Sequence, residues 1–286
     1  MAILFERVAI VGVGLIGGSL ALAARAAGLV GHVTGVGRGV ANLATARQRG
    51  IADRTIHRVE DIGPVDLVVL ATPVRTIPTV AGQLAPRLRP GTVVTDVGSV
   101  KGSIVDELEK ILPAGCPFVG AHPIAGSERS GAEVAEAELF RGAPCVLTPT
   151  ATTDAAAVQR IESLWQGVGA RVLRMSPAEH DRALAWTSHL VHALAYCLAQ
   201  AVDASGPAAL SCAGPSLRET TRVAASTPGL WSDIFLANAP ALVEVMETFL
   251  ADLDRLKQSI CSGDEEAIAR LLEAGRRARE RLEAQR

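Results

Sequence analysis

The chain has 286 residues, 49% hydrophobic and 20% charged, with a formal net charge of −2. That profile supports one large core or two ordinary ones and excludes a disordered chain. A pI near 6.3 and an aromatic content of 3% argue against nucleic acid as the main partner, because phosphate binding needs a basic footprint and RNA bases need stacking faces.

The chain opens MAILFERVAIVGVG. Glu6 and Arg7 interrupt the apolar run and glycines follow at once, so this segment reads as a first β-strand and not as a signal peptide. Valine-rich runs at Arg7–Val13, His32–Val36, Asp66–Ala71, Thr92–Asp96 and Pro117–His122 alternate with helical patterns at Ile16–Ala27, Val40–Gly50, Val74–Leu88 and Lys101–Leu112. Two further strands are expected at Pro144–Thr148 and Arg171–Met175. This alternation predicts an α/β fold of Rossmann type, with a doubly wound, mostly parallel sheet. The continuous run Asp66-Leu67-Val68-Val69-Leu70 fits a strand buried on both faces.

After Met175 the character changes to alanine- and leucine-rich helical patterns, broken at Ser205-Gly206-Pro207, Gly214-Pro215 and Thr227-Pro228-Gly229. From Ser262 onward the pattern is an amphipathic charged helix. Two domains are therefore expected, a dinucleotide-binding domain over 1–175 and an all-helical domain over 176–286.

The stretch Ala183 to Val202 is long enough to cross a membrane, but it carries Ser188, His189, His192 and Gln200 and lacks basic flanks. It reads as a buried helix, and no membrane is implied. Such a helix in a small domain, with a mean hydropathy of +0.27 for the chain, predicts burial against a second copy in a homodimer. The five cysteines, Cys116, Cys145, Cys197, Cys212 and Cys261, show no CxxC spacing. Buried free thiols in a reducing cytoplasm are expected, with neither a disulfide framework nor a cysteine zinc site.

Gly12-Val13-Gly14-Leu15-Ile16-Gly17 matches GxGxxG directly after a strand and at the opening of a helix. Gly12 would permit the tight turn, Gly14 the close approach of a pyrophosphate, and Gly17 the packing of helix on strand, with the helix N-terminus stabilising the anion. The residue that selects the cofactor lies about 20 residues on, at the end of the second strand. An NAD enzyme places a carboxylate there, but this chain reads Gly35-Val36-Gly37-Arg38. Arg38 could pair with a 2′-phosphate, which favours NADP. The alternative is that Arg38 is a solvated surface arginine and NAD binds without an acidic partner.

Ligands of open α/β sheets gather beyond the carboxyl ends of the strands. Those ends carry Ala71-Thr72-Pro73, the stretch from Thr95 to Lys101 that includes Ser99, and Gly120-Ala121-His122-Pro123. An imidazole and a hydroxyl thus converge where a nicotinamide would lie, and imidazole has the pKa to take an alcohol proton near neutral pH.

GVGLIGGS at 12–19, TDVGSVK at 95–101, GAHPIAGSERSG at 120–131, HDRALAWTSHLVH at 180–192 and SLRETTRVAASTPGLW at 216–231 together resemble the prephenate/arogenate (cyclohexadienyl) dehydrogenases of tyrosine biosynthesis. The resemblance runs in order along nearly the whole chain. It implies oxidative decarboxylation of prephenate or arogenate with hydride passing to NADP or NAD, and a helical domain that binds substrate and dimerises. It further implies that His122 is the partner of the ring hydroxyl, assisted by Ser99, and that Arg222 binds a substrate carboxylate with Arg218 nearby. His192, Ser188 and Trp231 would line the pocket, and Glu128 and Asp181 would belong to an ionic network around it. Gly12, Gly14, Leu15, Ile16, Gly17, Arg38, Thr72, Pro73 and Ser99 would contact the cofactor. The family often has proline where this chain has Val191, which bears on which histidine reaches the pocket.

At 3.6 residues per turn, Ser188 and His192 fall within about 20° of Asp181, while His189 is turned away by about 80°. That favours His192, the alternative being that both histidines are core residues; a zinc site from the HxxH spacing lacks a third ligand. Arg218 and Arg222, four apart, would share a helix face suited to a dicarboxylate, or else stand as solvated charges. No metal is expected. No residue separates prephenate from arogenate. Neither a chorismate mutase segment before residue 1 nor a regulatory domain after the helices is expected, so tyrosine feedback would act at the active site.

Two rivals remain at this stage. A β-hydroxyacid or imine reductase of the same plan would call for a catalytic lysine in the helical domain, and none stands between Ser176 and Leu256. A non-enzymatic cofactor sensor would need no proton acceptor at the cleft.

Overall fold

The computed structural model describes residues 3–127 and 129–284. In β1 (Phe5–Val11), Val8 and Ile10 enter one apolar cluster while Ala9 and Val11 enter another. In β4 (Leu67–Leu70), Leu67 and Val69 face the first cluster, and Val68 and Leu70 the second. Apolar residues on both sides of the strand over Val8–Val11 and Leu67–Leu70 require a sheet covered on both faces. With β2 (Val30–Val36), β3 (Arg54–Ile56), β5 (Val93–Asp96) and β6 (Phe118–Val119), these strands form a six-stranded parallel sheet in the order β3-β2-β1-β4-β5-β6. The winding reverses between β1 and β4, which opens the crevice beyond their carboxyl ends. Helices α1 (Leu15–Ala26), α2 (Val40–Gln48), α3 (Ile77–Leu84) and α4 (Gly102–Ile111) connect the strands. The helix expected over Val74–Leu88 is confined to α3 by two prolines near helix starts, Pro78 and Pro86, with 3₁₀ turns on either side.

The strand expected over Pro117–His122 is two strands. Gly120 lies so close to Thr148 that a Cβ there would stand 2.5 Å from its Oγ1, and its carbonyl accepts from the Thr148 amide at 2.9 Å. The chain leaves the parallel sheet at this point. Beyond it, β7 (Ala121–Pro123) pairs antiparallel with β8 (Pro144–Leu147), which pairs parallel with β9 (Arg171–Arg174), in a second sheet of three strands. His122 therefore sits within a strand of this small sheet. Between β8 and β9, α5 (Ala155–Gly167) starts where the Asp154 carboxylate accepts from the Ala157 amide at 2.7 Å. Neither α5 nor the short edge strand β3 was expected.

No strand follows Arg174 among the described residues. The helix α6 (Pro177–Leu184) begins with a capping box between Ser176 and Glu179, then gives way to a π-helical turn over Ala185–His189 and to α7 (Leu190–Ala204). The stretch expected as one buried helix is thus broken, and it is not buried within the chain: Val191, Leu194 and Leu198 are 45%, 36% and 38% exposed. After α8 (Pro207–Ser211) and α9 (Pro215–Thr221), α10 (Pro228–Ala237) packs Trp231 and Ile234 into the second apolar cluster of the sheet. A first compact unit runs to Ala239 and a second begins at Pro240. The second consists of most of α11 (Ala239–Ser262), with α12 (Glu265–Glu283) capped by Asp264. No single described helix is long and apolar enough to cross a membrane.

Candidate active site

The loop after β1 is built by backbone. Gly12 has φ +100°, and a Cβ there would lie 2.3 Å from the Ala71 carbonyl oxygen. Gly17 is packed as tightly, its Cβ position 2.2 Å from the Gly12 oxygen. At Gly14 a Cβ would meet nothing within 4 Å, and Gly14 is the N-cap of α1 without a side-chain hydrogen bond. An uncapped helix N-terminus opening onto empty space fits the pyrophosphate of a dinucleotide. Leu15 and Ile16 follow, half-buried. At the end of β4, Thr72 Oγ1 is buried with no hydrogen-bond partner among the described residues, next to the exposed Pro73. Beyond β2, Arg38 is exposed, just before the N-cap Gly39 of α2. These residues fit a nicotinamide dinucleotide.

The loop carrying Ser99 and the strand carrying His122 are fastened to each other by a buried ion pair that sequence reasoning missed. Asp96 accepts from the Gly98 amide at 2.8 Å and from the Ala121 amide at 3.2 Å, and also binds Lys101. Lys101 Nζ donates in turn to the Ala121 carbonyl at 3.0 Å. Asp96 and Lys101 are both fully buried, so the pair pins the loop that carries Ser99 to the start of β7, one residue before His122. Burial pushes the Lys101 ammonium down, against the pull of Asp96. The available signal was an Asp directly after the buried strand run Val93-Val94-Thr95 and a Lys five residues on, where unpaired charge is costly.

His122 is buried, and its Nδ1 lies 2.8 Å from His180 Nε2. His180 Nδ1 lies 2.7 Å from Asp181 Oδ1. The Asp181 carboxylate also accepts from the Lys101 and Gly102 amides at the start of α4, each at 2.7 Å. Burial holds His122 well below the ordinary histidine range, helped by the neighbouring His180, Lys101 and His189. His180 is likewise lowered by burial, with Asp181 opposing. His180 was not among the expected site residues.

The π-helical turn resets the helical count. His189, expected to point away, is buried, its Nδ1 3.0 Å from the Asn238 amide nitrogen, which also donates to the Asp181 carbonyl at 2.8 Å. Its Nε2 has no partner among the described residues, and burial lowers its pKa to about 4. His192 is half-buried and stacks on Trp231, with ring centroids 3.4 Å apart and planes at 19°. Its Nδ1 meets the Ser188 carbonyl at 2.9 Å. Burial lowers His192, and the charge of Arg222 lowers it further. His192, Trp231, Ser188 and Arg222 thus form one group. Arg218 and Arg222 do not share one regular helix: α9 ends at Thr221 and Arg222 opens a 3₁₀ turn, with both side chains exposed. Glu128 lies outside the described residues.

Residues 20–174 match the family model "Prephenate dehydrogenase, nucleotide-binding domain", and residues 176–274 match "Prephenate dehydrogenase, dimerization domain". The chain is 38% identical over 280 residues to a cyclohexadienyl dehydrogenase of Zymomonas mobilis, covering 96% of this chain and 95% of that protein. Its fold superimposes with a TM-score of 0.91 on the prephenate dehydrogenase of A. aeolicus solved with hydroxyphenyl propionate and NAD+, at 36% identity over 97% of this chain and 98% of that one. With the arogenate dehydrogenase of Synechocystis the TM-score is 0.84, at 31% identity over 97% of this chain and 100% of that one. The chain belongs to the prephenate dehydrogenase family.

Proposed function

We propose that this enzyme carries out the family reaction, oxidative decarboxylation of prephenate or arogenate in tyrosine biosynthesis, with His122 as the base. The observation that carries the assignment is the Asp96–Lys101 pair, which fastens the Ser99 loop and the His122 strand to each other. A bound nicotinamide supplies the hydride acceptor. His122 Nε2 takes the proton of the ring hydroxyl while Ser99 donates to the oxygen as it becomes a carbonyl. The carbon bearing the hydroxyl loses its hydrogen as hydride to the nicotinamide; the bond to the ring carboxylate then breaks, carbon dioxide leaves, its electron pair makes the ring aromatic, and the phenolate oxygen takes the proton back from His122. Arg222 pairs with a substrate carboxylate, Arg218 adds a second exposed cation one turn earlier in the chain, and the stacked His192 and Trp231 form a wall with Ser188. Asp181 acts from behind His122, a reading supported by its contacts with His180 and the start of α4.

Replacing His122 by Asn is expected to cut kcat by about 10²–10⁴ and leave the cofactor Kd nearly unchanged. Near-normal turnover would remove His122 from the reaction. Leu15, Ile16, Thr72 and Pro73 join the three glycines at the cofactor, and Arg38 turns the choice toward NADP. NAD+ is what the A. aeolicus relative was solved with, so a panel of both cofactors against both substrates decides the two open choices.

The division near residue 175 separates the cofactor-binding part from the part that binds substrate and dimerises. The open apolar face of α7 supports a homodimer. Light scattering at micromolar concentration is expected to give twice the chain mass; a monomer would overturn it.

A further inference from the structure

Behind His122 stands a line of buried groups whose far end sets the direction of every bond in it. The Lys101 and Gly102 amides can only donate, so both oxygens of Asp181 act as acceptors. Asp181 Oδ1 also receives His180 Nδ1 at 2.7 Å, which places the hydrogen on that nitrogen. Burial keeps His180 neutral near pH 7, and a neutral imidazole with hydrogen on Nδ1 has only a lone pair at Nε2. That lone pair, 2.8 Å from His122 Nδ1, must accept from it. His122 Nε2 is then left bare, as a base requires.

We propose that His180 is a positioning residue that locks His122 in the tautomer with hydrogen on Nδ1 and, with Asp181, takes up the positive charge that His122 gains in turnover. This rests on the reading of His122 as the base. In the step itself the substrate O–H bond breaks and a bond from hydrogen to His122 Nε2 forms. The His122 Nδ1 proton shifts toward His180 Nε2 and the His180 Nδ1 proton toward Asp181, so the charge moves toward the carboxylate. The need is local: Lys101 places a buried ammonium near both imidazoles and disfavours a cation on either. Asp181 is the anion at the end of the line. Because it also caps α4, it is held in place by the same helix that follows Ser99.

The test compares wild type with His122→Asn, His180→Ala and His180→Gln, measuring kcat, substrate KM, cofactor Kd and Tm. His180→Ala leaves His122 Nδ1 without an acceptor and is expected to lower kcat by about 10–100-fold, with KM and cofactor Kd within about twofold. Glutamine offers an amide oxygen near the former Nε2 and is expected to restore most of kcat. Unchanged kcat in His180→Ala, or glutamine no better than alanine, overturns the proposal. If His180→Ala does not fold, long-range ¹H–¹⁵N spectra of the wild type decide: a protonated Nδ1 and bare Nε2 on His122 support the relay, and the opposite tautomer refutes it. A normal His122→Asn would instead remove the base assignment itself. Loss of activity there beside a normal His180→Ala would remove the relay alone.

Discussion

At the loop after β1, the proposed cofactor recognition is a property of backbone at fixed spacing: a turn at Gly12, an open approach at Gly14 and an uncapped helix start. Around His122 the groups come instead from β7, the loop after β5, the start of α4 and the end of α6, joined by hydrogen bonds between residues that are distant in sequence. The first kind of site tolerates any side chain that stays out of the way. The second depends on each partner that orients the next, so in the proposed reaction its function is spread over residues behind His122.

The sharpest way to break this comparison is within the glycine loop. Gly12→Ala forces a side chain to φ +100° and to within 2.3 Å of a backbone oxygen, at a cost of about 2–5 kcal/mol in stability. Gly14 has extended backbone and open space, so Gly14→Ala is expected to leave stability within about 0.5 kcal/mol. It would still weaken the cofactor about tenfold or more by filling the approach to the helix start. Denaturant unfolding and a cofactor titration on both variants measure this. Equal stability losses would show that Gly14 is as structural as Gly12.

The same contrast explains what could be read from sequence. The parallel sheet was legible because valine runs buried on both faces have no other home, and the cofactor loop because its geometry is local. The passage to the second sheet at Gly120 was not, since it depends on contact with Thr148, which lies far along the chain. His189 and His192 were placed by a count of 3.6 residues per turn, which the π-helical turn over Ala185–His189 invalidates. The partnership of His122 with His180 left no trace in spacing at all. The expectation of His122, Ser99, His192, Trp231 and Arg222 at the site came from the resemblance of the stretches around them to those of a known family, and not from spacing.

The histidine group also predicts where pH sensitivity lies. Burial puts His189 at about 4 in the folded chain, against 6.5 as its ordinary value. The unfolded chain therefore takes up the proton first as pH falls. The stability tied to neutral His189 is complete above about pH 6.5 and is lost progressively down to about pH 4. Between pH 7 and pH 5 the loss is about 2 kcal/mol. His189→Asn cannot titrate, so the change in its unfolding free energy over that interval is expected to be smaller by about that amount. Parallel pH curves for the two proteins would mean that His189 is solvated or protonated when folded. Gly14→Ala, on the other side of the comparison, should follow the wild-type curve.

The smallest effect expected lies at the edge of the cofactor loop, where backbone recognition gives way to a side chain. Gly37 occupies the position at the end of β2 where a carboxylate would receive ribose hydroxyls, and Arg38 follows it, exposed, ahead of the α2 N-cap. Among the described residues no carboxylate is paired with Arg38. A planar guanidinium in that place can bind a 2′-phosphate through charge-assisted hydrogen bonds, while the hydroxyls of NAD offer it little. Solvent at an exposed site reduces the gain to about 1.4 kcal/mol, or about tenfold in kcat/KM in favour of NADP. Arg38→Ala is expected to remove most of that margin and to leave the rate with NAD nearly unchanged. Because the pyrophosphate site is backbone, the variant keeps its affinity for the part of the cofactor that NAD and NADP share. A wild-type enzyme that works as well or better with NAD would show that Arg38 faces only solvent and that the loop binds the dinucleotide without choosing between its two forms.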